Sequence, residues 1–166
     1  MRVSEYMSHY PVSVSPHATV LEAAETMYGG GFRHLPVLED GRLVGIISDR
    51  DLRQSAPTVL NNPPHHRISV LDKAARLGEN GTFRASPPTG PVRPERIESG
   101  LAVLEVHSLM TREVETIEPS STLRCAAIKF SQGGFGALLV LEDGELVGMF
   151  TMRDLLRWVL EQTRTR

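Results

Sequence analysis

The stretch Leu38-Glu39-Asp40-Gly41-Arg42-Leu43-Val44-Gly45 returns as Leu141-Glu142-Asp143-Gly144-Glu145-Leu146-Val147-Gly148, 103 residues further on. Laying Pro16–Leu52 over Pro119–Leu155 at that offset needs no gap and gives 19 identities in 37 positions. Gly30-Gly31-Phe32 meets Gly133-Gly134-Phe135, Arg50-Asp51-Leu52 meets Arg153-Asp154-Leu155, and Met7 meets Met110. Agreement on this scale marks an internal repeat, which decides architecture before any single motif does. The 166 residues hold a unit of about 55 residues twice.

Each copy carries the same local signals. Thr19 precedes Val20, Ala23, Ala24 and Met27, and Thr122 precedes Leu123, Ala126, Ala127 and Phe130. Apolar residues at i, i+3, i+4 and i+7 form one face of an amphipathic helix. Thr19-Val20-Leu21-Glu22 has the capping-box form, which makes Thr19 the N-cap. The glycines at 29–31 and 133–134 stop these helices. His34–Leu38 and Ala137–Leu141 then read as short strands. Asp40-Gly41 and Asp143-Gly144 are hairpin turns, leading into strands Leu43–Ser48 and Leu146–Thr151. Helices start near Asp49 and Met152, and lead-in segments around Ser13-Val14 and Thr116-Ile117 can add an edge strand. A unit this small buries too little surface to be robust alone. The simplest cover for its open sheet face is the other copy, as a pseudo-twofold pair.

The copies are read as residues 1–55 and 104–162, with a joint at 56–103 and a tail at 163–166. The joint holds seven of the eleven prolines. Short helices are predicted at Ser69–Leu77 and Glu95–Val103, with loop over Glu79–Pro94.

Composition excludes several classes. Formal charge is -2, from 18 basic and 20 acidic residues, so a generally basic nucleic-acid binder is ruled out. The joint's Arg67, Arg76, Arg84, Arg93 and Arg96 are diluted by Asp72, Glu79, Glu95 and Glu98. The N-terminus has no apolar stretch of the secretory kind, and no run approaches the length of a membrane span, so the expected compartment is the cytoplasm. The single cysteine, Cys125, reads as a small core or core-edge residue. No G-x-S-x-G elbow and no G-x-x-x-x-G-K-[ST] loop occurs, so no enzyme is expected. His65 and His66 read as solvated loop, and His9, His17 and His107 show no ligand spacing.

The repeat unit resembles the CBS domain. The resemblance rests on the proline and threonine that open the first helix, His34-Leu35-Pro36-Val37, the D-G-x-L-V-G hairpin and the S/T-x-R-D ending. It covers about two thirds of the chain, and two copies in tandem resemble a CBS pair, or Bateman module. The fold implied is α+β, two βαββα-type repeats packed through their sheets with clefts between them. Such clefts commonly bind AMP, ADP, ATP or S-adenosylmethionine, and such modules commonly regulate a partner and pair as homodimers.

The resemblance places Asp51 and Asp154 on ribose hydroxyls, with Ser48 and Thr151 beside a phosphate. The spacing has physical logic. A hydroxyl at the N-cap and a carboxylate three residues on meet at a helix start, where free N–H groups favour an anion. The same spacing is also a plain capping box, and both roles can coexist. Arg50 and Arg153 fit phosphate contact or an exposed helix start. The resemblance adds Arg33 and His34 as a second candidate group that reaches a phosphate in the first copy, where His34 also reads as structural. Adenine walls would come from Val12 to Val14, with Ser13 among them, from Glu115 to Ile117, and from Pro36 or Leu139. Copy two has Gly136-Ala137 in place of Arg33-His34, so the two sites are not equivalent.

The function expected is a regulatory module that senses an adenosine nucleotide, needs no cofactor, and passes a shape change to an effector protein. The alternative is a dimerising interaction module without a regulatory ligand.

Overall fold

The computed structural model describes residues 1–54 and 104–164. The helices predicted in the joint and His65-His66 lie outside the described residues. The first copy runs through β1 (Ser8–His9), α1 (Val20–Gly30), β2 (His34–Glu39), β3 (Arg42–Ser48) and α2 (Asp49–Gln54). The second runs through β4 (Thr116–Ile117), α3 (Leu123–Gly133), β5 (Ala137–Glu142), β6 (Glu145–Thr151) and α4 (Met152–Arg164). Single 3-10 turns lie at Val3–Glu5 and Val106–Ser108. The expected helix-strand-strand-helix order is present in both copies.

Local chemistry explains the boundaries. The Glu22 N–H donates to Thr19 Oγ1 at 3.1 Å, while Thr19 N–H donates to Glu22 Oε2 at 2.7 Å, a complete capping box. Copy two keeps half of it: the Cys125 N–H donates to Thr122 Oγ1 at 3.2 Å, and a cysteine cannot return the second bond. Cys125 is exposed, not in the core as its small apolar side chain suggested. Its place in the first turn, N-terminal to the buried Ala126, turns it outward. Both helices end at a left-handed glycine, Gly31 and Gly134, each with φ 67°. The hairpins turn on Asp40-Gly41 and Asp143-Gly144, all four at positive φ, which matches the twist of the flanking strands.

β2 pairs with β3, and β5 with β6, both antiparallel, with a bulge at the same place in each hairpin. The lead-ins add the expected edge: β4 runs parallel to β5, and Val14 bridges to Val37 in the same sense.

The other edge of each sheet comes from the opposite copy. β1 pairs with β6, not with its own hairpin, and Thr111 bridges to Ile46. The Val3 N–H donates to the Ser121 carbonyl at 2.8 Å, and the Val106 N–H to the Ala18 carbonyl at 2.8 Å. Subtracting the offset of 103 turns each second-copy contact into its first-copy counterpart, so the exchange is reciprocal. Val106 and Met110 complete the core of Val20, Ala23, Ala24, Met27, Leu35, Val37, Ile47 and Leu52. Val3 completes the core around Leu123, Phe130, Leu138 and Phe150, with Met7 packed on it. Fully burying a valine contributes about 1.5–3 kcal/mol, so each crossing segment is a real part of the core it enters. The repeat alignment did not reveal this exchange, because an offset between copies carries no statement about which copy a segment covers.

Strand side chains alternate between faces. Leu35, Val37, Leu138 and Val140 enter the helix-covered cores. Pro36, Ala137 and Leu139 are also buried but belong to neither core. They lie on the face turned from the helices, where β3 meets β6 across the pseudo-twofold. Among the described residues no helix is long and apolar enough to cross a membrane.

Candidate functional site

The last residue of β3 and the first turn of α2 form a corner, repeated where β6 meets α4. In the first corner Ser48 Oγ donates to Asp51 Oδ2 at 2.7 Å and the Ser48 N–H to the same oxygen at 2.8 Å. In the second, Thr151 Oγ1 donates to Asp154 Oδ2 at 2.7 Å and its N–H at 2.9 Å. One oxygen of each carboxylate is thus committed to capping. Asp154 is buried, and its Oδ1 lies 3.5 Å from the Arg157 guanidinium. Asp51 is half-buried, and its Oδ1 makes no bond to a described residue.

The strand register places His34 opposite Ser48 and Pro36 opposite Ile46. The lead-in strand then lies on β2, since the Val14 N–H donates to the Pro36 carbonyl at 3.0 Å and Leu38 N–H to the Val14 carbonyl at 2.9 Å. β2 therefore lies between the lead-in that carries Ser13 and the strand that ends at Ser48, with His34 beside Ser48 and Pro36 two residues further along β2. Across the pseudo-twofold His34 packs on Gly136, where a Cβ would lie 3.3 Å from the imidazole Cε1 and Nε2. Burial lowers the His34 pKa below its ordinary value, the Asp49 charge opposing and the Arg33 charge adding to the shift. Arg50 and Arg153 are exposed and pair with no described residue.

A buried acid that the sequence reading passed over organises the corner. Asp49 is 4% exposed and lies 3.1 Å from the Arg53 guanidinium and 3.5 Å from Arg33 Nε. The Asp49 N–H also donates to the Arg33 carbonyl at 3.0 Å. A buried carboxylate needs such partners, and the i, i+4 spacing of Asp49 and Arg53 was its readable signal. Copy two repeats the backbone bond, from the Met152 N–H to the Gly136 carbonyl at 3.1 Å, without the charges. Arg33, Asp49 and Arg53 become Gly136, Met152 and Leu156, so only the first corner carries a held guanidinium pair.

A second cluster, missed because its members are far apart in sequence, lies at the opposite end of β2. Glu105 Oε2 is 2.9 Å from His17 Nδ1 and 3.0 Å from His107 Nδ1. Glu39 Oε1 is 3.5 Å from His17 Nε2.

Two repeats, each a hairpin sheet with two helices and each closed by the other's crossing segment, define a tandem module with one helix-start corner per copy. The family model of the CBS domain matches residues 3–57 and 106–161, and the chain belongs to that family. Among curated relatives, the CBS domain-containing protein CBSCBSPB5 of Arabidopsis thaliana is 25% identical over 163 residues. That match takes in 96% of this chain and 29% of the relative, so the chain spans less than a third of that protein's length. Among solved structures, the CBS domain pair of protein MJ0100 superposes with a TM-score of 0.68 at 20% identity, over 98% of each chain. That pair was crystallised with 5'-methylthioadenosine and S-adenosyl-L-methionine. CBSX2, crystallised with AMP, superposes with a TM-score of 0.66 at 23% identity, over 98% of each chain.

Proposed function

We propose that the chain is a regulatory module that binds an adenosine-containing ligand between its two copies and passes the resulting change of shape to a partner protein. The observation that carries this reading is the pair of corners. In both, a carboxylate sits at a helix start with its hydroxyl and N–H neighbours already in hydrogen-bond order. The ribose hydroxyls would be taken by Asp51 in one copy and Asp154 in the other. Arg33, Arg50 and Ser48 would face a phosphate in the first copy, and Arg153 and Thr151 in the second. The two solved pairs that hold adenosine compounds support the ligand class.

The corners are unequal, and the first is the better nucleotide site. Among the described residues Asp51 Oδ1 has no partner, while Asp154 is buried beside Arg157. The buried Asp49 holds Arg33 and Arg53 beside the first corner. His34 lines it as a neutral imidazole, able to donate one hydrogen bond without adding charge.

A thermal shift series with AMP, ADP, ATP, S-adenosylmethionine and NAD tests the reading. A ligand at 100 times its dissociation constant stabilises by about 2.7 kcal/mol. No shift with any of them would overturn the sensor in favour of a dimerising interaction module. That second reading has an observation of its own in the exposed apolar stripe of α4, formed by Met152, Leu156, Val159 and Leu160.

A further inference from the structure

We infer that His17, Glu105 and His107 form a binding site for a divalent transition metal of the zinc type, with Glu39 behind it. The three residues each offer one ligand atom, and all three atoms lie within 4.8 Å of one another. Two imidazoles and a carboxylate are a donor set that zinc takes readily, with water or another oxygen as fourth ligand. Metal–ligand bonds of about 2.0–2.2 Å put tetrahedral donors roughly 3.3 Å apart. The present separations of 2.9 and 3.0 Å from Glu105 Oε2 to the two Nδ1 atoms need only a small opening. The histidines are exposed, so their rings are free to make it.

Three further features point the same way. Imidazole ligands almost always give their second nitrogen to a carboxylate or carbonyl, which fixes the ring. Glu39 is already placed for that role at His17 Nε2, 3.5 Å away, while Nδ1 faces the cluster. With both imidazoles neutral the four groups carry two negative charges, which a divalent ion neutralises. The backbone is built to hold the geometry: the His107 N–H donates to the Pro16 carbonyl at 2.9 Å, and the Val106 N–H to the Ala18 carbonyl at 2.8 Å.

The site belongs to one copy only. The pseudo-twofold puts Ser120, Arg2 and Ser4 at the matching positions, and an arginine in place of Glu105 repels a cation. It is also separate from the nucleotide corner. β2 runs from His34 to Glu39, which sets the two ends roughly 16 Å apart. A metal here would clamp the second copy's crossing segment onto the first copy.

Zinc chloride and cobalt chloride titrated into chelator-treated full-length chain test the inference, by calorimetry and by the visible absorption of tetrahedral cobalt. One equivalent of zinc and a cobalt band that are both lost in His17→Ala and in His107→Ala are expected. Glu39→Gln should weaken zinc about tenfold while keeping the stoichiometry. Circular dichroism of the metal-free variants checks that each is folded. Absence of zinc binding by the folded wild-type chain overturns the site, as does binding unchanged in a folded His17→Ala, His107→Ala double variant.

Discussion

Met110 lies over Gly45 so closely that a Cβ there would meet its sulfur at 2.7 Å and the Thr111 carbonyl oxygen at 2.9 Å. The pseudo-twofold repeats this contact: a Cβ at Gly148 would meet Met7 Sδ at 2.6 Å and the Ser8 carbonyl at 3.0 Å. These glycines are the points where each crossing segment is laid against the other copy's sheet. Gly45→Ala and Gly148→Ala should each destabilise by about 1–3 kcal/mol, the range for overpacking a tight interior. The check is a lower urea midpoint with an unchanged slope. Removing the methionine should not rescue either variant. The sulfur can move aside, but the carbonyl belongs to the bridge between Ile46 and Thr111 or to the β1–β6 pairing.

Ser48 and Asp51 separate capping from ligand contact. Ser48→Ala should cost about 0.5–2 kcal/mol as a lost N-cap. Asp51→Ala removes a carboxylate that accepts two bonds and should cost a similar amount without any ligand. Their effects on binding should differ. If Asp51 holds the ribose, Asp51→Ala weakens AMP and adenosine alike, by roughly tenfold or more for charge-assisted bonds. Ser48→Ala, beside the phosphate, weakens AMP more than adenosine. Calorimetric dissociation constants for both ligands decide it. Equal affinity of wild type and Asp51→Ala for AMP would remove the ribose assignment.

The repeat and the period of its apolar residues made the secondary structure readable, because Thr19, Gly31, Asp40 and Gly41 each act over four residues or fewer. What escaped was long-range. Val3 and Val106 look like ordinary apolar residues in sequence, and only the closed sheet shows that each fills the other copy's core. Asp49 was overshadowed by Asp51, two residues away, although Asp49 is the more buried acid. His17 and His107 stand 90 positions apart, so no local spacing could pair them. Cys125 failed for the opposite reason: chemistry favoured burial, but a helix has an outer face even in its first turn.

His34 should make stability fall as the solution is acidified. Its folded pKa is lowered from the ordinary 6.5, chiefly by burial. The unfolded chain then binds a proton near pH 6.5 while the folded chain still resists it, so stability drops below that pH until the folded imidazole also protonates. The opposing and assisting charges are those of Asp49, Asp51 and Arg33. His34→Gln should flatten this part of the profile, read as urea midpoints between pH 5 and 7.5. The difference between variant and wild type isolates His34 from the carboxylates and from the exposed His17 and His107. A wild-type profile that matches the variant across that range would show that the imidazole is not held neutral.

The exposed stripe on α4 makes the assembly testable. Met152, Leu156, Val159 and Leu160 recur at i, i+4, i+7 and i+8, one helix face, and Leu156 and Leu160 are 56% and 64% exposed. The opposite face is already spent, since Leu155 is buried and Trp158 packs against the second core. Tandem copies in one chain leave this stripe uncovered, and a second chain can cover it with the same stripe about a twofold axis. Leu156→Glu with Leu160→Glu places four carboxylates in that isologous contact. Light scattering should give a dimer mass for wild type and a monomer mass for the double variant. The substituted residues touch no core, so its circular dichroism should match wild type. A double variant that stays dimeric would move the interface off α4, and a monomeric wild type would overturn the dimerising interaction module.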